Sequence, residues 1–172
     1  MSKKSIETIF ALGNEVDLTT PTSTRQYPLG LVYECQDSTT KTIKKYMYIY
    51  GASGLTANLP YAISYSTVSG QEVKAITPAT FAAPGQYICV PQVTIASTYY
   101  GWVQIQGHCE AAMGASITAG YYLSVENGGV TFTSDETTSV STETCAAAID
   151  ATVGAATGTI YLNGRRVVIA AS

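Results

Sequence analysis

The chain has 172 residues and a formal net charge of −3, and only 12% of its residues are charged, about half the roughly 25% of an ordinary soluble domain. A length of this order suits one domain with a sizeable core, and a surface of Thr, Ser, Ala, Gly and Tyr with so few ions points to permanent interfaces rather than a solitary life in water. No Lys or Arg lies between Ala75 and Gly164, which leaves no basic stripe for a phosphate backbone, and no apolar run approaches the roughly 20 residues of a membrane-spanning helix, so neither nucleic acid nor membrane is an expected partner.

Residues 1–25 have no sustained periodicity and end in the turn-rich run Thr19-Thr-Pro-Thr-Ser-Thr-Arg25. They read as an extended N-terminal arm, with Ile9, Phe10 and Leu12 as apolar grips for a neighbour's groove. In Met1–Phe10, Glu7 and Thr8 interrupt the apolar stretch a secretory signal needs, so synthesis in a cytoplasm is expected. From residue 26 to 172 a single β domain is expected.

The first strands fall at Leu29–Cys35 and Ile43–Tyr50, a hairpin around the polar loop Gln36–Thr42. In the second of them Tyr46, Tyr48 and Tyr50 alternate with Met47 and Ile49, the period of a strand with two apolar faces, one for the core and one for another chain. Further strands are predicted at Tyr61–Ser66, Glu72–Ile76, Gln86–Val93, Gly101–Cys109, Tyr121–Val125, Val130–Thr133, Thr159–Leu162 and Val167–Ala170. Asn127-Gly128-Gly129 and Asn163-Gly164 supply the positive φ angles of tight hairpin turns, with weaker turns at Ser53-Gly54 and Ser69-Gly70. Glu143–Ala156 leans towards helix in composition, but Ala and Cys also suit a tightly packed strand, and a strand is expected there. Regularly spaced strands with almost no helix define an all-β fold, a small antiparallel β-barrel or sandwich. So little charge blunts the edges of such sheets that symmetric association is the natural way to hide them.

Residues with chemistry in them are sparse. His108 is the only histidine, and in Gly107-His-Cys-Glu110 its neighbours Cys109 and Glu110 point to opposite sides of a strand, so no nucleophile, base and orienting group are specified. Cys35, Cys89, Cys109 and Cys145 form no C-x-x-C pair and read as reduced core thiols. Asp135, Glu136, Glu143 and Asp150 surround a Thr/Ser-rich loop over residues 131–144 without calcium-loop spacing, and no phosphate-binding or nucleophile-elbow motif occurs. The expectation is a protein that is not an enzyme and holds no cofactor or metal. The 13 Tyr against one Trp and 3 Phe fit interfaces instead, and exposed aromatics keep a glycan open as a further ligand.

The run Tyr100-Gly-Trp-Val-Gln-Ile-Gln-Gly107 resembles a segment common in head decoration proteins of tailed bacteriophages, and short pieces around it fit the likeness: Tyr27-Pro-Leu-Gly30, Gly54-Leu-Thr-Ala57, Ile117-Thr-Ala-Gly120, Tyr122-Leu-Ser-Val125 and Gly158-Thr-Ile-Tyr-Leu162. Within the central run Val103 and Ile105 face the core, while Tyr100 and Trp102 are interface candidates; Trp102 is either a wedge at a subunit boundary or a cap on the barrel. The resemblance implies a homo-oligomer, a trimer by preference, that sits on the outer capsid surface of the virion, contacts the major capsid protein and stabilises the shell. The alternatives are a head-fibre anchor or host-glycan-binding virion module, or a tail or neck subunit.

Overall fold

The computed structural model describes residues 7–8, 16–66, 72–76, 86–125, 130–134, 144–164 and 166–167. Among them there is no helix, and the strands are β1 (Glu7–Thr8), β2 (Val32–Gln36), β3 (Ile43–Gly51), β4 (Tyr61–Ser66), β5 (Glu72–Ile76), β6 (Gln86–Cys89), β7 (Tyr99–Met113), β8 (Tyr122–Val125), β9 (Phe132–Ser134), β10 (Ala146–Ala148), β11 (Ala156–Asn163) and β12 (Arg166–Val167). The all-β expectation holds.

The organising element is β7, 15 residues long and therefore about 50 Å at the usual rise per residue. Along its second half β7 pairs antiparallel with β11, from Gln106↔Asn163 to Met113↔Ala156. From β11 the ladder continues through β10, β8 and β9 and returns to Met113 of β7 at Phe132, closing a five-stranded barrel. Inward-facing Cys109, Ala111, Met113, Leu123, Phe132, Ala146, Ala148, Ile160 and Leu162 fill it. Small residues on β10 and β11 leave the room that Phe132 and Met113 occupy: a Cβ at Gly158 would collide with the end of the Met113 side chain.

Along its first half β7 pairs instead with β3, from Gln106↔Lys45 to Tyr99↔Gly51. The ladder runs on through β5 and β4 to β6, and just past β6 the Val90–Gln104 bridge, bonded in both directions at 2.9 and 3.0 Å, brings the chain back to β7. This second circuit encloses Met47, Ile49, Ile63, Cys89, Ile95, Val103 and Ile105. Alternation along one short stretch sends Cys89 into this core and Ile88 and Val90 into the barrel core, so that stretch is a wall between the two.

Where β7 passes from one circuit to the other it loses β3 as a neighbour, and its backbone groups on that side need other partners. The fully buried Gln104 donates through Nε2 to the carbonyls of Gln106 and His108. Gln92 brackets Glu110, accepting from its N–H and donating to its carbonyl, and the Asn58 carbonyl accepts from the Ala112 N–H at 2.7 Å. A register shift at Lys45/Tyr46 and Gly107 at φ 96° mark the same crossing.

Several boundaries differ from the sequence expectation. β7 begins before Gly101 and runs past Cys109, because Gly107 marks a kink inside the strand rather than its end. Gly164 does take a positive φ, yet the Asn163-Gly164 step does not make a hairpin: β12 leaves β11 and pairs with β6 through Arg166↔Tyr87. The Asn127–Gly129 and Ser69-Gly70 turns lie outside the described residues. The β2–β3 hairpin forms as expected, with Asp37 at its turn accepting from the N–H groups of Thr39 and Thr40 and pairing with Lys44 at 2.8 Å.

Candidate interaction surface

Of the expected interface residues, Ile9, Phe10 and Leu12 lie outside the described residues. Tyr46, Tyr48 and Trp102 are not available to another chain: Tyr48 is 2% and Trp102 4% exposed, and with Tyr33 and Cys35 they form a third core. What covers them is the chain itself. Residues 16–31 lie across the β2–β3–β7 face as a strap, packing Val16, Leu18, Tyr27, Leu29 and Leu31 on the aromatic cluster. Ladder-like bonds hold the strap, with Thr22 paired to Tyr100 and the Tyr48 N–H given to Leu31, and the Tyr48 hydroxyl accepts from the Gln26 N–H at 3.0 Å. The last ten residues of the proposed arm are thus seated on their own domain, and Trp102 is a cap on the strand face. Its ring meets Tyr27, Tyr33 and Tyr48 at tilted angles with centroids 5.1 to 5.9 Å apart, a geometry favoured by ring quadrupoles. Tyr50 and Tyr100 are half-buried at the end of the cluster, 5.1 Å apart, with Tyr99 exposed beside them.

The groups capable of chemistry are dispersed among the described residues. His108 stacks edge-on against Tyr161, and no group of His, Cys, Asp or Glu among the described residues could hold a metal ion. All four cysteines are free and buried. Burial pushes the Cys35 thiol up to about 11 and the Cys145 thiol up to about 12, and raises Cys89 and Cys109 as well, which suppresses the thiolate that nucleophilic or redox chemistry requires. Tyr46 is likewise raised, first by burial. An open depression of about 600 Å³ is lined by Asp150–Gly158; it contains no nucleophile–base pair.

Much of the exposed apolar surface lies around this same loop, at the end of the barrel remote from the second circuit. Two loops meet there, residues 114–121 between β7 and β8 and residues 149–155 between β10 and β11, joined by the Ile117–Thr152 bridge and by the Thr152 hydroxyl donating to Gly114 O at 2.8 Å. They present Tyr121, Tyr122 and Ile149, and Val153 stands 97% exposed at the tip. None of these is among the contact residues expected from the sequence. The signal that could have found them was the long run without Lys or Arg, read together with the single acid Asp150 in residues 144–164.

These elements define an all-β protein with two strand circuits sharing one long strand. No protein-family model matches the chain, and no curated protein matches it. Among solved structures it is similar to the N base of head fibre gp8.5 of bacteriophage phi29, with a TM-score of 0.49 and 13% identity over 70% of this chain and 95% of that one.

Proposed function

We propose that this chain is a structural virion protein that decorates the outer surface of a tailed-phage head, associates with copies of itself and with the major capsid protein, and stabilises the shell by covering subunit boundaries. The observation that carries an interaction role is the barrel tip, where large apolar side chains stand in water on two loops whose described residues include one charge, Asp150, a combination that marks protein contact surfaces. Support for the head comes from the resemblance of the Tyr100–Gly107 run. Buried thiols, an isolated histidine and an open loop depression favour a structural role over catalysis. Mechanistically, each copy contributes roughly 25 cal/mol per Å² of apolar area covered, less the cost of association, and many equivalent copies on one shell add through multivalency.

The test is sedimentation of purified protein with heads that lack it, followed by heating. Co-sedimentation with a raised temperature of DNA release is the expected result. A protein that stays in the supernatant at all ratios, while binding a sugar on a glycan array, would replace decoration with a glycan-binding role.

A further inference from the structure

We infer that the barrel tip is where copies of this chain meet one another, tip against tip around a common axis. The inference rests on the self-association part of the proposed function and names its surface. Residues 115–122 and 149–157 carry one charged side chain, Asp150, and its carboxylate already accepts from the Thr159 N–H at 2.8 Å. The hydrogen bonds from Thr159 hold that carboxyl below its ordinary range, so it is an anion with a partner of its own.

The charge of the tip decides what fits it. A partner face rich in lysine or carboxylate would surrender its hydration on contact and find no counter-ion in return, a net loss. The complementary face must therefore be uncharged and apolar. The other described faces do not offer a surface both uncharged and broadly apolar: the β2–β3 hairpin displays Glu34, Lys41 and Lys45, the strap displays Asp17 and Arg25, and the uncharged loops 52–58 and 92–99 expose Tyr99 as their one large apolar side chain. The tip does. Tyr121, Tyr122 and Ile149 are exposed at the same end as Val153, the most exposed of the four, so a symmetric contact centred on Val153 leaves the tyrosines nearer the edge, where their hydroxyls reach water. The barrel behind is closed and its core filled, so the loops are presented on a rigid base at little ordering cost.

The experiment is light scattering of the full chain and of Val153→Lys and Val153→Glu, each alone and mixed, with thermal melts as a check on folding. The wild type is expected as an oligomer and each variant alone as a monomer, its association weakened roughly tenfold or more. The equimolar mixture of the two variants is expected to reassociate, because opposite charges then face each other across the contact. A wild type that is monomeric throughout, variants that stay oligomeric, or a mixture that remains monomeric overturns the inference. Tyr121→Lys repeats the test should a Val153 variant not fold. Head co-sedimentation of the same proteins is a separate readout, so copies that meet elsewhere yet bind heads would refute the tip and leave the virion role standing.

Discussion

Gly107 sits where β7 changes partners, and replacing it tests the two-circuit architecture directly. Its φ of 96° is in the region L residues avoid, and a Cβ there would lie 2.5 Å from the Ile43 carbonyl oxygen and 3.1 Å from Lys44 Cα. Both obstacles are backbone of β3, pinned on its far side by β2, so neither can rotate away. Backbone strain of about 1–3 kcal/mol and overpacking of about 1–3 kcal/mol predict a loss of roughly 2–6 kcal/mol for Gly107→Ala. Two controls separate these contributions. Gly120 has φ 87° with nothing within 4 Å, so Gly120→Ala should cost only the conformational part, about 1–2 kcal/mol. Gly154 has neither constraint, and Gly154→Ala should be neutral or stabilise by up to about 0.5 kcal/mol. Urea unfolding monitored by the single tryptophan reads all three; with a slope of about 1–3 kcal/mol/M, the Gly107 variant should unfold at least about 0.7 M earlier. A Gly107→Ala midpoint equal to that of Gly120→Ala would refute the claim that β3 and β7 are locked together at this point.

Tyr48→Phe removes the acceptor for the Gln26 N–H and keeps the ring packing, so it should lower stability by about 1 kcal/mol and speed amide exchange in residues 16–31; exchange unchanged there would mean the strap is held by packing alone. The Asp37 carboxyl is subject to burial, which raises its pKa, but the Lys44 ammonium and the Thr40 and Thr39 N–H groups more than reverse this and hold it well below the usual carboxylate range. Because the folded value is the lower one, the stabilisation is fully present above the unfolded value of about 3.9 and fades as pH falls through the folded value. Melting temperatures from pH 7 to 2 should therefore drop below about pH 4 in the wild type and drop less in Asp37→Asn, which starts lower; parallel curves would discount the ion pair.

Much of this strand order can be read from local chemistry. Tyr61–Ser66 and Glu72–Ile76 appear at the expected boundaries, because β-rich runs bounded by Gly, Ser and Pro leave few other options. Residues 146–148 form a strand despite an alanine-rich composition, since packing against β8 and β11 outweighs helix propensity. Choices of partner were less legible. Asn163-Gly164 announces a turn but not that the next strand crosses to β6. The alternation of Tyr46, Tyr48 and Tyr50 shows that a second apolar face must be covered, yet residues 16–31 cover it through irregular backbone, with no periodicity to reveal them. The tip was not legible because Tyr121 and Tyr122 are distant in sequence from Ile149 and Val153, and the two loops are joined only when the barrel closes.

A strand held in common by two closed circuits also fixes how the molecule carries force. A pull directed along β7 loads its ladders with β3 and β11 in shear, so the bonds from Tyr99 to Met113 share the load rather than failing one after another. No linker lies between the circuits to stretch first. Tension applied at the tip loops is passed through the length of β7 to the β3 side with little compliance, as through a tie-rod, and the weakest points under load are the attachments at either end.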